Sequence, residues 1–378
     1  MPTTAQPSIQ VLGPGDAHAL IDLDRRAPIV AGWRFRYDRE PDFFAWPRLL
    51  FDDWVYLGAF LEGQLVGYGM VGTYQQAPTL PGGRPRRLFY VGDGRVLPEH
   101  RGAGIARALL AAGPDALSEL PGPPPDQGWA LVARGNSRAR SLVSGWSVPG
   151  FHVDSVTAFT ALTVPARIPP PPFPPAARSR LTTQVVGAEA MDEAVAAFDR
   201  LLGGRRLAPA VTTTQVAADL SAGALHGLIL IHQGTEVVGV AGLWDPVTAR
   251  RLVVDGYPQP LGTVASVLRQ VPLAGHALTH LVPAPGATLH TVTLAPLAVT
   301  GPEPLRALLR AACRWAQRRG RLAVHVGIAD ADPATAGLAR TPGFHLKSQI
   351  IQITREPRSA SEQGTDPYGT VQISLAMV

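Results

Sequence analysis

The stretch Val96-Leu97-Pro98-Glu99-His100-Arg101-Gly102-Ala103-Gly104-Ile105-Ala106-Arg107-Ala108-Leu109-Leu110 joins an apolar strand to an amphipathic helix through a short turn of basic and small residues. Glycine or alanine at positions 102, 103, 104 and 106 lets the main chain come close to a ligand. The first amides of the helix have no partner within it and lie at the positive end of its dipole. This arrangement predicts a pyrophosphate site that needs no additional basic side chain.

The alternative interpretation is that this turn of small residues arose by chance, because a chain with 39 glycines often contains such turns. The complete succession of strand, proline, turn, helix and second strand is much harder to obtain by accident. Two other phosphate-binding arrangements are not indicated by the sequence. It contains no Gly-x-x-x-x-Gly-Lys-Ser/Thr of a P-loop, and no Gly-x-Gly-x-x-Gly opens a Rossmann unit.

Hydrophobic patterning predicts the same succession of elements twice. In the first half we predict strands at residues 9–12, 55–61, 65–71, 88–97, 129–133 and 151–164, with helices at 16–25, 104–120 and 136–145. In the second half we predict strands at residues 182–186, 228–232, 236–244, 288–299, 322–328 and 344–354, with helices at 188–202 and 303–319. The repeat predicts a tandem protein.

The spacing Arg101-x-x-Gly104-x-Ala106 resembles the acetyl-CoA signature Q/R-x-x-G-x-G/A of the GNAT acyltransferases. The order of elements over residues 8–164 is similar to that family as well. The resemblance implies an α/β fold in which a mixed, mostly antiparallel sheet contains a splayed pair of parallel strands flanked by helices. It also implies acetyl-CoA as co-substrate, bound between those strands, and direct attack of an amine on the thioester in a ternary complex.

We therefore expect two tandem GNAT-like domains. Our boundaries are 1–164 for the first domain, 165–179 for a proline-rich linker, 180–356 for the second domain and 357–378 for a polar tail that ends in a strand-like apolar run. At the position of the opening motif the second half reads Thr300-Gly301-Pro302-Glu303-Pro304-Leu305. Two prolines remove helix-start amides and Glu303 adds negative charge, so we expect only the first half to bind acetyl-CoA.

The resemblance assigns specific residues to the cofactor. The main chain around Val96 and Leu97 would pair with pantetheine, and the amides of the following turn would hold the pyrophosphate. That turn comprises Arg101, Gly102, Ala103, Gly104, Ile105 and Ala106. Asn136 matches the asparagine of the family's Asn-x-x-Ala-x-x-Leu-Tyr segment, and it serves equally well as a cofactor ligand or as a helix N-cap.

The same segment departs from the family at Val143, where many members have the tyrosine that protonates the departing thiolate. Valine has no proton to donate. Either Tyr90 or water replaces that acid, or this half is a weak catalyst or a binding module. Asp93 is the nearest acidic residue on the cofactor strand and is our candidate base, although a position in a turn explains it as well.

In this family the acceptor site is usually built between the first helix and a hairpin, which the strands at 55–61 and 65–71 are predicted to form here. The intervening segment is rich in aromatic residues. We expect Trp33 and Tyr37 to line a pocket for a small-molecule amine or a peptide N-terminus, with Asp52 or Asp53 attracting its charge. Core packing is the alternative explanation of these rings.

Composition favours a globular protein of two or three domains, with 46% hydrophobic and 17% charged residues among 378. The net charge of +5 is scattered, which gives no sign of a nucleic-acid partner. Arginine greatly outnumbers lysine, which suits a bacterial, GC-rich genome. Residues 1–20 do not form a signal peptide and no run of eighteen apolar residues occurs, so we expect a cytoplasmic protein without membrane contact.

Cys313 is the only cysteine, in a helical pattern where a buried apolar role is expected. His276 and His280 have no evident third ligand, and we expect no metal. The sequence thus predicts an N-acetyltransferase, monomeric or homodimeric, that is active in its first half. A non-catalytic acyl-CoA sensor or interaction module is the alternative. The second half would support the fold, shape the acceptor site or bind a ligand of its own.

Overall fold

A computed structural model of the chain describes residues 6–30, 33–78, 84–144, 150–166, 181–245, 247–259, 262–263, 267, 283–338, 341, 343–355 and 372. The predicted linker from residue 167, most of the tail, and both His276 and His280 lie outside these residues. Within the described helices, none is both long and apolar enough to cross a membrane.

The described part of the first half contains, in chain order, β1 Ser8–Leu12, α1 Ala17–Arg26, β2 Ile29–Val30, β3 Arg34–Asp38, α2 Ala45–Leu50, β4 Asp53–Leu61, β5 Gln64–Gln76, β6 Arg86–Val96, α3 Ile105–Glu119, β7 Gln127–Ala133, α4 Ser137–Ser144 and β8 Phe151–Pro165. The second half contains β9 Leu181–Val186, α5 Met191–Leu202, α6 Thr213–Ser221, β10 Leu225–Gln233, β11 Glu236–Trp244, β12 Arg251–Gly256, β13 Thr291–Val299, α7 Pro302–Arg318, β14 Ala323–Ala329 and β15 Phe344–Arg355. The predicted α/β plan with two similar halves is confirmed, while β2, β3, β12, α2 and α6 are additions to it.

One mixed sheet of twelve strands runs through both halves in the order β1-β4-β5-β6-β7-β15-β8-β14-β13-β11-β10-β9. The two closing strands are exchanged. In the register of β15, Ile350 is opposite Leu131 of β7 on one side and Thr157 of β8 on the other. Strand β8 in turn pairs with β14, with Val164 opposite Val324. Each half is therefore completed by a strand of the other.

Two pairs of parallel strands splay apart. Strands β6 and β7 pair only at Phe89 with Gly128 and Tyr90 with Trp129, and then diverge, which confirms the splayed pair expected in the first half. Strands β13 and β14 pair over three positions, ending with Thr293 opposite His325. The sheet is thus opened at the same place in each half.

Helices cover both faces of the sheet. On one face, which we call the α3 face, Leu117 of α3 packs against Phe89 and Ile353, and α7 packs against the strands of the second half. The other face, called the α1 face, is covered by α1, α2, α5 and α6. Cys313 of α7 is buried as expected, and burial raises the pKa of its thiol to about 11.

A second sheet has three strands in the order β12-β3-β2. It pairs a strand of the second half with strands of the segment between α1 and β4, where the acceptor site is expected. Strand β12 runs antiparallel to β3, with Leu252 opposite Tyr37. Arg251 donates a 2.7 Å hydrogen bond to Asp38, and Arg36 pairs with Asp255. These two ion pairs fix the register of a contact between residues more than two hundred positions apart.

Candidate active site

The turn between β6 and α3 presents a row of unpartnered amides. Gly102 and Gly104 have φ angles of 94° and 80°, in the left-handed region that favours glycine, and Gly104 is the N-cap of α3. A Cβ atom at either position would meet nothing within 4 Å, so the backbone angle is what selects glycine there. Within the described residues, no acceptor is found for the amides of Gly102, Gly104, Ile105, Ala106 and Arg107. These donors converge at the helix N-terminus, as an anion requires.

The equivalent turn of the second half is built differently. Pro302 and Pro304 in the first turn of α7 have no amide hydrogen, and the amide of Leu305 donates to the carbonyl of Gly301 at 3.3 Å. Of the described residues in this turn, Gly301 and Glu303 have amides without an acceptor, and the side chain of Glu303 is acidic.

A side chain closes the splay of the second half. The guanidinium of Arg205 donates to the carbonyl of Val299 at the end of β13, at 2.8 Å, and it also pairs with Asp332 beyond the end of β14. Asp332 is buried and caps the short helical turn at Pro333–Gly337, which packs against α7. The space between the diverging strands is therefore occupied by protein atoms.

The first half instead contains a cavity of about 920 Å³ that extends to both faces of the sheet. Apolar groups line its α3 face, namely Phe89, Val91, Pro114, Leu117, Ala130, Val143, Phe151 and Ile353. Aromatic and charged groups line its α1 face, namely Tyr37, Trp46, Tyr90, Asp93, Arg95 and Arg250. The two parts meet beside residues 92–96, where β6 separates from β7.

The main chain of β6 turns one residue toward the splay, Val96, whose carbonyl accepts a hydrogen bond of 3.3 Å from Arg101 Nε. The amide of Leu97 donates to Val66 of β5 at 2.9 Å, and its carbonyl accepts from His100 at 3.0 Å. Because main-chain groups alternate along a strand, those of Val96 point away from β5 into the splay. The structure thus brings Val96 to the cavity, but the groups of Leu97 are already engaged.

A bulge reshapes β6 beside Val96. The register passes from Tyr68 opposite Arg95 to Met70 opposite Gly92, which inserts one residue into β6. Asp93, within the bulge, has a φ angle of 51°. Such a bulge bends the strand and changes the direction of its main-chain groups.

The segment that contains Asn136 also lies at the cavity. Asn136 lines the cavity, and its Oδ1 accepts a hydrogen bond from the amide of Ala139 at 3.0 Å, so it is an N-cap of α4. Val143 also lines the cavity and is buried against Val132 and Ile351. The hydroxyl that a tyrosine would supply at position 143 is therefore missing.

Tyr90 is held on the α1 face of the cavity, at the mouth of the splay. Its ring stacks on Phe51 at 5.7 Å between centroids and is tilted against Trp129 at 4.7 Å. Burial raises the pKa of its hydroxyl, so the group stays protonated. No hydrogen-bond partner for this hydroxyl is found among the described residues, which leaves it free for a ligand.

Asp93 lies in a network of buried charges. Its two carboxylate oxygens accept hydrogen bonds of 2.6 Å from Arg39, and the hydroxyl of Tyr56 donates a third at 2.7 Å. Arg39 and Arg95 hold its pKa below the ordinary aspartate value despite burial, which by itself raises the pKa. A carboxylate with a lowered pKa and engaged oxygens is a weak base, so the environment differs from the one expected of a general base.

Of the residues expected at the acceptor, the structure brings Tyr37 to the cavity. Trp33 stacks on Tyr257 at 6.1 Å, away from the cavity lining. Asp53 pairs with Arg87 at 2.7 Å, and Asp52 lies on the surface at the start of β4. The two aspartates are therefore not placed to attract an amine into this cavity.

Sequence reasoning missed Arg39 and Arg250. Arg39 follows β3 and is fully buried, with its guanidinium 4.5 Å from the ring centroid of Phe43. Arg250 belongs to the second half and reaches the cavity through the pairing of β12 with β3. No local motif marks either residue. No group of three or more potential metal ligands occurs among the residues that the structure describes.

Comparison with known proteins agrees with this geometry. Residues 18–120 match the family model described as the acetyltransferase (GNAT) family. No curated protein matches the chain by sequence. The match to a GNAT-family acetyltransferase domain thus lies within the first half of the chain, at residues 18–120.

Solved structures extend the likeness to both halves. The GCN5-related N-acetyltransferase from Sphaerobacter thermophilus is 14% identical, with a TM-score of 0.53 over 94% of this chain and 98% of that chain. The N-myristoyltransferase of Saccharomyces cerevisiae with bound myristoyl-CoA is 9% identical, with a TM-score of 0.58 over 99% of this chain and 85% of that chain. At these identities the likeness shows a shared fold. The GNAT fold implies an acyl-CoA co-substrate, and the family and fold together support acyl transfer in general.

Proposed function

We propose that the chain is an N-acyltransferase whose first half transfers an acetyl group from acetyl-CoA to an amine. The observation that carries the proposal is the row of free amides at residues 102–107, placed at the end of a splay through which the cavity passes from one face of the sheet to the other. A pyrophosphate held by these amides directs the rest of the cofactor along β6 toward Tyr90.

The binding roles follow from the donors available. The amides that follow Arg101 hold the pyrophosphate, the main chain of Val96 pairs with pantetheine, and Asn136 lies beside the cofactor while it caps α4. Acetyl-CoA supplies the activated thioester. The part of the cavity beside the bulge of β6, where the α3 and α1 parts meet, would receive the acyl group.

In the transfer itself, the C–N bond forms as the C–S bond breaks, nitrogen loses a proton and sulfur gains one. Tyr90 is our choice for the acid because its free hydroxyl stays protonated and lies at the splay. We assign Asp93 a positioning role, in which it holds Arg39 and the bulge. Since Asp93 is the one carboxylate in the described cavity lining, the amine proton leaves through water.

The alternative is a non-catalytic acyl-CoA sensor, and Val143 is the observation that favours it. Both functions predict binding, so turnover separates them. We would titrate the protein with acetyl-CoA, octanoyl-CoA and myristoyl-CoA by calorimetry, and then follow thiol release from each across a library of primary amines. Acetyl-CoA turnover supports the proposal. Binding without turnover for any amine favours the sensor, and absence of binding to all three donors overturns both.

A further inference from the structure

Arg250 brings a charge of the second half into the cavity of the first. It immediately precedes β12, whose pairing with β3 puts its guanidinium carbon 4.1 Å from the ring centroid of Tyr37 and 4.4 Å from that of Trp46. All three side chains line the cavity. The rings hold the guanidinium by cation–π contact and leave its N–H edge available for hydrogen bonds.

The neighbouring arginines differ from Arg250 in having carboxylate partners. Arg251 pairs with Asp38 and Arg36 pairs with Asp255. For Arg250, no salt bridge and no hydrogen bond is found within the described part of the chain, and its attraction to Asp93, which Arg39 already pairs, acts over a longer distance. A half-buried guanidinium with five N–H donors and no anion is an incomplete ion pair.

The charges on the α1 face of the cavity leave Arg250 in excess. Arg39 is matched by Asp93 in a bidentate pair, and Arg95 lies 3.7 Å from Asp24 and 3.9 Å from Asp93. Three arginines therefore face two aspartates. The α1 face of the cavity is positive and opposes a polycationic acceptor.

We infer that Arg250 binds a carboxylate of the acceptor, so that the enzyme acylates amines that carry a carboxylate in the same molecule, the class of amino acids and short peptides. The inference rests on the proposed function, because it assigns the acceptor of the same cavity. A guanidinium matches a carboxylate with two parallel hydrogen bonds, and the flanking rings suit an apolar side chain next to it. The second half would thereby select the acceptor of a reaction that takes place in the first.

The test compares each amine with its matched partner. We would measure acylation of L-phenylalanine and L-leucine against L-phenylalaninamide, L-leucinamide and spermidine. The wild-type enzyme is expected to prefer the acids over the amides by about 10- to 100-fold in kcat/KM, as expected for a hydrogen-bonded ion pair. Arg250→Gln should abolish that preference through a higher KM for the acids, with the KM for acetyl-CoA unchanged.

Two variants control this experiment. Arg200→Gln removes a surface arginine that has its own carboxylate partner, Glu236, outside the cavity lining, and it should keep the preference. Arg250→Lys keeps the charge but loses the planar fork, and it should retain a reduced preference even where the glutamine variant folds poorly. An equal rate for acids and amides in the wild-type enzyme, or an unchanged preference in Arg250→Gln, would overturn the inference.

A binding measurement distinguishes failure of the proposed acyl transfer from failure of the inference about Arg250. If no amine is acylated, calorimetry of N-acetyl-L-phenylalanine with the CoA-loaded protein still tests Arg250. Binding that is lost in Arg250→Gln, and not reproduced by N-acetyl-L-phenylalaninamide or inorganic phosphate, supports a carboxylate site without catalysis. Absence of binding, or equal binding of the amide or of phosphate, overturns it.

Discussion

The hydroxyl of Tyr90 lies over Gly92, so close that a Cβ atom on residue 92 would overlap it. The two residues are two positions apart on one strand and share a face, and only glycine leaves room for the ring. Phe51 and Trp129 prevent the ring from moving aside. The position of this hydroxyl at the splay is therefore fixed by a glycine as well as by aromatic packing.

We expect Tyr90→Phe to lower kcat about 10²-fold, the usual contribution of a positioned acid, with both KM values nearly unchanged. Tyr74→Phe is the control, because it removes a buried hydroxyl that accepts from Trp129 Nε1 at 2.6 Å outside the cavity lining. Steady-state kinetics check both. An unchanged kcat in Tyr90→Phe would assign the proton to water.

Gly92→Ala should lower kcat as Tyr90→Phe does, because the added Cβ displaces the ring. Gly94→Ala within the same bulge is the matched control, since a Cβ atom there would lie 3.8 Å from the carbonyl oxygen of Tyr68, an ordinary contact. We expect Gly94→Ala to retain most of the activity. Equal kcat values for the two variants would contradict this account of Tyr90.

Gly104→Ala should weaken acetyl-CoA binding about tenfold or more, because alanine is strained at a φ of 80° and the turn rearranges. Gly63→Ala in the β4–β5 hairpin is the control, because it introduces the same backbone strain at a φ of 79° with open space around the Cβ. Each should cost about 1–2 kcal/mol of unfolding free energy. Calorimetry should show lost affinity in the first variant alone, and a similar loss in both would remove the argument for the turn.

Asp93→Asn should destabilise the fold by about 3–5 kcal/mol, because it leaves the buried guanidinium of Arg39 without its partner. The pKa of Asp93 is lowered in the folded state, so its contribution is present above the unfolded value, near 3.8, and is lost as the pH falls through the folded value. Urea unfolding from pH 7 downwards should therefore show the difference from wild type shrinking below about pH 4.

Glu236→Gln is the control for that series, because Glu236 pairs with Arg200 at the surface with 63% of its side chain exposed. Its unfolding free energy should equal that of wild type at neutral pH. A constant difference between Asp93→Asn and wild type down to pH 3 would show that the ion pair does not titrate with folding.

Replacing Pro302 and Pro304 by alanine restores two amides to α7, yet we expect the protein still to bind one acetyl-CoA per chain. Arg205 and Asp332 continue to fill the splay, and Glu303 keeps its charge. Calorimetric stoichiometry measures this directly. A second bound acetyl-CoA would show that the prolines alone disable the second half.

Residues 1–166 expressed alone should aggregate, because β7 loses β15 and β8 loses both of its neighbours, which exposes strand edges. Residues 181–378 should fail for the same reason, and the two pieces should copurify when expressed together. A soluble, monomeric 1–166 fragment with native acetyl-CoA affinity would instead support the boundary at residue 164 as that of an independent domain.

Local sequence predicted the elements that local physics controls. The hairpin turn at Glu62 and Gly63 has positive φ angles at both residues, and the Gly102 and Gly104 turn opens a helix where small residues and periodicity indicate one. Pro302 and Pro304 predicted that amide donors are lost at the start of α7 in the second half. Each feature depends on residues within one turn or one strand.

The exchange of β8 and β15, the pair of Arg39 with Asp93, and the entry of Arg250 into the cavity required the tertiary structure. Alternation along β15 shows that Ile350 and Ile351 face opposite sides of the sheet, but it does not indicate which strands lie next to β15. Partners separated by tens or hundreds of residues are selected by the packing free energy of the whole sheet, which no local pattern contains. The sequence by itself determined the turn and helix at which we propose that acyl-CoA binds, and the tertiary structure decided which charges lie beside the proposed acceptor site.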